Sequence, residues 1–322
     1  MIAAPLGDPV LREQLDRIAP DGLFFFTLGS PEGPKGGELR GALVNASRLV
    51  AQMRANHGLG IIESYVLGQA YVAAALLAST LKGEDSIGMR LDCEGPVHGW
   101  SVHAKAGAEG FSVRGYLFRD VIAIAEPPDR FDTAPLVGTG TLTLTRFIET
   151  APRPFTGTVS LKTGRLALDL ASYFLESEQV PTAFALGVHF DREGRVAGAG
   201  GLFLQSLPGS TPASLERAEV LLRSLPPLGR HFAEGGQAEV LLATTFSALG
   251  LELRGGAPIA FSCNCGRERF AAFMAGAEGG LLEELVETGP WPVEAVCHQC
   301  GSKYHWEREE LAAMLEKRPS SG

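Results

Sequence analysis

The chain runs to 322 residues yet has only five cysteines, three tryptophans and five tyrosines, and it has no surplus of positive charge. Its 28 lysines and arginines are outnumbered by 37 acidic residues, for a net charge of −9. Such a balance does not favour the phosphate backbone of nucleic acid or an anionic lipid surface, so neither partner is expected. A secretory start is missing too. Met1 to Arg12 lacks a basic opening followed by an apolar run, and Phe24-Phe25-Phe26 is too short to serve as one. The most apolar stretch, Val66 to Leu81, falls short of a membrane span and carries Gln69, Ser79 and Thr80. A cytoplasmic protein is the expectation that follows.

Catalytic signatures are also lacking. There is no G-x-S-x-G elbow, no P-loop lysine motif and no H-E-x-x-H. Gly138-Thr139-Gly140 lacks the third glycine of a dinucleotide fingerprint, and Glu176-Ser177-Glu178 reads as a solvated helix end before Pro181. No enzyme is expected.

What is present is concentrated near the C-terminus. Four of the five cysteines form two close pairs, Cys263-Asn264-Cys265 and Cys297-His298-Gln299-Cys300. Two clustered dithiols at this separation are the layout of a four-thiolate zinc site, because each short pair supplies two of the four tetrahedral ligands. The first pair has one intervening residue where zinc fingers commonly have two, and cysteines so placed can also close a small disulfide if the backbone turns sharply. The same sulfurs can thus hold a metal or form two disulfides. Cys265 directly precedes an expected helix N-terminus, whose dipole favours thiolate, and Arg267, Arg269 and Lys303 add positive charge nearby. His298 and His305 are weaker ligand candidates, since four thiolates already fill a tetrahedral site. A filled site leaves no open position for catalytic water.

The fold class reads as α+β. Val66 to Leu81 suits a buried helix, and beyond it the pattern changes to period two. Ile87, Met89, Leu91 and Cys93 share one strand face; Leu142 and Leu144 alternate with Thr141, Thr143 and Thr145; Phe184, Leu186, Val188 and Phe190 repeat the alternation. A helix is expected at Leu166 to Glu176. Short alternating strands point to antiparallel sheets. Cys93 is read as a small buried apolar residue of this core, and the forty glycines as a compositional bias with many turns.

Three parts are expected: a core at 1–209, a helical linker at 210–256 and a small zinc-binding domain at 257–322. In the linker, Leu215, Ala218, Leu222 and Leu225 form one helical stripe that Pro226-Pro227 and Gly229 stop. Val240, Leu241, Leu242, Phe246 and Leu249 mark a second helix, closed by Gly255-Gly256. Such short helices must dock on something else. The last part is weak in core, with apolar clusters at Phe270, Phe273 and Met274, at Leu281, Leu282 and Leu285, and at Leu311, Met314 and Leu315. A unit this small usually needs a metal, worth about 10–16 kcal/mol in small zinc modules.

These residues bring out a resemblance. The chain resembles the redox-regulated heat-shock protein 33 (HslO) chaperone family over nearly its whole length. The C-x-C and C-x-x-C pairs are its most specific part, with Arg267-Glu268-Arg269 after the first and Gly301 after the second. Further matching segments are Leu39-Arg40-Gly41, Ala78-Ser79-Thr80-Leu81-Lys82, Tyr173-Phe174 with Ser177-Glu178-Gln179, Pro181-Thr182, and Ala199-Gly200-Gly201 to Gln205. Met1 to Lys35 matches less clearly and reads as carrying an elaborated loop. The resemblance implies a cytoplasmic holdase that needs no ATP, inactive while reduced and holding zinc through Cys263, Cys265, Cys297 and Cys300. It further implies that oxidation forms Cys263–Cys265 and Cys297–Cys300 disulfides and releases zinc. The zinc domain and linker then unfold, and the protein captures unfolding clients, usually as a homodimer. The linker face freed in this way would be Leu215, Leu222, Leu225, Val240, Leu241 and Leu242. The competing reading is a constitutive zinc-ribbon adaptor.

Overall fold

The structure, a computed structural model, describes residues 13, 15–29, 38–124, 132–277 and 280–316, with Ser214 described by its backbone alone. The expected loop before Lys35 lies largely outside these residues, except that Phe24-Phe25-Phe26 forms part of a strand. Contacts divide the chain into a larger unit within Leu6–Phe261 and a smaller one within Ser262–Gly322.

Ten strands of the larger unit join in one sheet: β1 (Gly22–Leu28), β2 (Leu39–Asn45), β3 (Ser86–Cys93), β4 (Gly99–Gly107), β5 (Gly110–Leu117), β6 (Gly140–Phe147), β7 (Phe155–Ser160), β8 (Thr182–Phe190), β9 (Val196–Ser206) and β10 (Glu252–Phe261). Their spatial order is β7-β6-β3-β4-β5-β10-β1-β2-β9-β8. Every neighbouring pair is antiparallel except one, where Ile259–Phe261 runs parallel to Phe111–Val113. The helices are α1 (Ser47–His57), α2 (Ile61–Ala78), α3 (Ala134–Val137), α4 (Leu166–Glu176), α5 (Pro212–Ser224), α6 (Leu228–Ala233) and α7 (Ala238–Phe246). The α+β class is therefore observed, with an antiparallel-rich sheet.

Helix α2 is apolar on nearly every face because it is enclosed. By length and composition it could cross a membrane, but 78% of it is buried inside the protein. Its fully buried Tyr71 has a partner, the hydroxyl donating to the Gly115 carbonyl of β5 at 2.8 Å. Helix α4 spans the residues expected for it.

The strand patterns hold where one face is open and fail where both are covered. In β6, Leu142 and Leu144 are buried while Thr141, Thr143 and Thr145 are half-buried. Thr143 and Thr145 reach across to Thr158 and Thr156 of β7 at 2.9 and 3.1 Å. In β8 every residue from Ala183 to Phe190 is half-buried, because α2, α4 and α6 all pack against this strand. Cys93 departs from its expected place: it is half-buried. As the last residue of β3 it pairs with Gly140, which has no side chain to cover it. Burial still pushes its thiol up to about 11, so it stays protonated at neutral pH.

Two features of the segment after Gly209 escape a reading by periodicity. Gly229 does not stop a helix but lies inside α6, at a close approach to the sheet. A Cβ on Gly198 would stand 2.2 Å from the Gly229 carbonyl, and one on Gly187 would stand 2.8 Å from the Gly229 nitrogen. Glycine at Gly187, Gly198 and Gly229 is thus a packing requirement rather than a compositional bias. Gly255-Gly256, expected to close a helical region, sits within β10, where β1 pairs Phe25 with Gly255 and Phe26 with Leu253. That shift is a bulge, and Gly255 takes φ +115 there.

The expected linker stripe packs on the β1-β2-β9 part of the sheet. Leu241, Leu242 and Phe246 are buried in a cluster with Phe26, Leu39, Leu43 and Leu204, and Leu215, Leu222 and Leu225 pack partly buried against it. Val240 does not join them; it is 54% exposed. Ala238, Leu241, Leu242 and Phe246 share one face of α7, and at about 100° per residue Val240 falls on the opposite one.

Candidate metal centre

The smaller unit contains α8 (Arg267–Gly276), α9 (Leu281–Thr288), a hairpin of β11 (Val293–Val296) and β12 (Lys303–Trp306), and α10 (Arg308–Glu316). Its core is slight: Met274, Leu282, Val293, Trp306 and Leu311 are buried, with Phe270, Leu285, Tyr304, Met314 and Leu315 packed around them. Phe273, expected with the apolar set of α8, is 70% exposed. So few apolar side chains leave the fold dependent on something further.

The four cysteines meet beside this core. Cys263 and Cys265 lie in the extended stretch leading into α8, whose cap is Gly266. Cys297 and Cys300 occupy the turn joining β11 to β12. That turn is a knuckle built by the backbone. The Cys297 carbonyl accepts N–H groups from Cys300 at 3.2 Å and Gly301 at 2.7 Å, and the Cys297 N–H donates to the Ser302 carbonyl at 2.8 Å. Gly301 takes φ +70, which explains a glycine directly after the second pair.

None of the four is in a disulfide, all are buried, and their sulfurs lie within 4.8 Å of one another. Cys263 and Cys297 are 3.8 Å apart and Cys265 and Cys300 are 3.3 Å apart, so close approaches run between the two pairs. Four sulfurs bound tetrahedrally at a Zn–S distance of about 2.3 Å would stand about 3.8 Å from each other. The donor set and its spacing therefore fit a metal ion. His298 and His305 are exposed and outside the group, and His305 Nε2 is 2.9 Å from Glu294.

Proton sharing among the sulfurs is strongly uneven. Hydrogen bonds from Cys297 and Cys300 hold Cys263 far below the usual thiol range. The bond to Cys263 in turn holds Cys297 far above it and pushes Cys300 up to about 11. To bind a cation through all four sulfurs, the cluster must give up the protons that these bonds hold.

The basic residues expected to add positive charge nearby each make contacts of their own. Arg269 donates to the Asn264 carbonyl at 3.1 Å, and Arg267 donates to the His305 carbonyl, pairs with Glu310 at 2.7 Å and lies over the Trp306 ring. Lys303 pairs with Glu294 at 3.1 Å. The Arg267 contacts tie the start of α8 to β12 and to α10. Two neighbours went unremarked in the sequence: the Tyr304 hydroxyl is 3.1 Å from Cys265 Sγ, and the Ser302 hydroxyl is 3.2 Å from Cys300 Sγ. Their only signal was position, two and four residues after Cys300.

A family model described as Hsp33 protein matches residues 34–307. The chain belongs to the Hsp33 family. Among curated Hsp33-type relatives, a 33 kDa chaperonin of Deinococcus radiodurans is 36% identical over 87% of this chain and 95% of its own length. Another, from Limosilactobacillus fermentum, is 33% identical over the same shares. Among solved structures, the Hsp33 homologue of Thermotoga maritima superposes with a TM-score of 0.77 at 27% identity, covering 92% of this chain and 98% of that one. The Hsp33 fold thus accounts for both units.

Proposed function

We propose that this chain is a redox-regulated, ATP-independent holdase of the cytoplasm, and not an enzyme. The observation that carries the reading is the convergence of four buried sulfurs within 4.8 Å in a unit with little core of its own. Membership of a chaperone family supports it. Cys263, Cys265, Cys297 and Cys300 would hold zinc in the resting state. Zn²⁺ supplies a four-way cross-link and no redox chemistry, so the sulfurs themselves are the sensor.

Under oxidant, Cys263 with Cys265 and Cys297 with Cys300 lose two electrons per pair and close two disulfides. Sulfurs drawn to disulfide distance, about 2.05 Å, cannot keep tetrahedral spacing, and the metal leaves. The small unit then lacks the free energy that holds it. Cys263 follows the end of β10 by two residues, so unfolding can run along the chain into the linker at 210–256. Leu215, Leu222, Leu225, Leu241 and Leu242 would leave their cluster and, with the already exposed Val240, offer an apolar surface to unfolding proteins, in a homodimer. On this reading 1–209 is the stable core and 257–322 the switch.

Zinc content and free thiols are to be measured before and after peroxide, beside an assay of client aggregation. One zinc per reduced chain, its loss on oxidation, and suppression of aggregation by the oxidised form alone are expected. Equal protease protection of the C-terminal third in both redox states would overturn the mechanism and favour a constitutive adaptor.

A further inference from the structure

The Tyr304 hydroxyl lies 3.1 Å from Cys265 Sγ, and its ring is held between Phe270 and Trp306 at centroid distances of 5.3 and 6.4 Å. The hairpin fixes its backbone, where Tyr304 of β12 pairs with Ala295 of β11. The hydroxyl is therefore aimed, not merely near. Cys265 is also the most accessible of the four cysteines, at 9% against 2%, 6% and 2% for Cys263, Cys297 and Cys300. A thiolate can only accept a hydrogen bond, so whenever Cys265 carries charge, Tyr304 must be the donor.

We propose that Tyr304 is a positioning residue that restrains the Cys265 sulfur, and that its hydrogen bond sets how much peroxide the switch requires. The inference rests on the zinc-switch reading above. A charge-assisted hydrogen bond draws electron density from sulfur and is weakened as that charge is spent in attacking an electrophile. The balanced step is as follows. The Cys265 thiolate attacks one peroxide oxygen, the O–O bond breaks and hydroxide leaves, giving the sulfenic acid. The Cys263 thiolate then attacks that sulfur, the S–O bond breaks, a second hydroxide leaves and the disulfide forms. Two electrons pass from the two sulfurs to the peroxide. Tyr304 opposes the first attack, because its O–H must release the lone pair that makes the new bond.

The full-length reduced protein, loaded with Co²⁺ in place of zinc, provides the test. Tyr304→Phe keeps the ring and removes only the donor. Its sulfur-to-cobalt charge-transfer bands should move to lower energy. Trapping of sulfenic acid at Cys265, located by mass spectrometry with the zinc form, should be roughly three- to tenfold faster, the scale of part of one charge-assisted hydrogen bond. Ser302→Ala should instead raise the reactivity of Cys300 and leave Cys265 unchanged. Should Tyr304→Phe fail to retain metal, 3-fluorotyrosine at position 304, a more acidic phenol and stronger donor, must shift both readouts the opposite way. Unchanged band energies and an unchanged Cys265 rate in either variant would overturn the proposal. Failure of the parent protein to bind one cobalt through four sulfurs would overturn the zinc reading instead.

Discussion

Phe26 of β1 and Phe246 of α7 stack with their ring centroids 5.7 Å apart and their planes 24° from parallel. One comes from the first strand and the other from the expected linker, and both are almost fully buried. This stack ties the linker to the sheet, so truncating it should loosen the linker first. Phe246→Ala is expected to cost about 3–5 kcal/mol, the range for a buried aromatic replaced by alanine. Denaturant unfolding measures the loss. Limited proteolysis of the reduced variant should show new cleavage between Gly209 and Gly250 while its zinc content is unchanged.

Leu241 and Val240 are adjacent yet lie in opposite environments, at 6% and 54% exposure. Leu241→Asp would place an unpaired carboxylate in the cluster and should destabilise by several kcal/mol, of order 3. Val240→Asp should stay within about 0.5 kcal/mol. Equal effects in thermal unfolding would refute the assigned helix phase.

Replacement of Cys263 by serine removes one soft charged ligand of four. The fall in zinc affinity should exceed the roughly 10- to 100-fold typical of losing a contact outside the ligand set. Competition against a chromophoric chelator reads this directly, and retention of full-affinity zinc would dismiss the ligand assignment.

Cys93 sits outside the cluster, half-buried at a strand end, with its thiol pushed up to about 11. Cys93→Ala should leave zinc binding and the oxidant response intact and cost less than about 1 kcal/mol, because the group removed is small and only partly packed. Recovery of Cys93 in a disulfide with one of the other four under mild peroxide would contradict this.

Asp21 is buried at the start of α1, where it accepts the N–H groups of Arg48 at 2.9 Å and Leu49 at 2.6 Å. Burial outweighs these bonds and raises its carboxyl from 3.8 to about 7. The folded state thus binds this proton more tightly than the unfolded one. The resulting stability is full below about pH 4 and is lost as pH rises through about 7. Denaturant midpoints for the parent and Asp21→Asn, measured from pH 4 to 8, should differ by an amount that varies with pH in this sense. A constant difference would show that Asp21 titrates alike in both states.

The four-cysteine set was legible in the sequence because metal ligation demands particular residue types at short spacings, and both are properties of the chain itself. Helix α4 and the strands β3 and β6 were legible because each has one face more buried than the other, so periodicity records burial. Where that condition fails, the pattern goes silent. β8 is covered on both faces, and β10 is glycine-rich, bulged and joined to β1 and β5 from far along the chain. The glycines at Gly187, Gly198 and Gly229 carry no local signal, since their need arises only when α6 meets the sheet. The phase that exposes Val240 and the aim of Tyr304 at Cys265 are decided in the same way. By itself the sequence determined which atoms could hold a metal and which elements were amphipathic. Tertiary packing alone decided which apolar side chains are covered and which hydroxyl touches a sulfur, because those depend on distances between segments that local spacing does not encode.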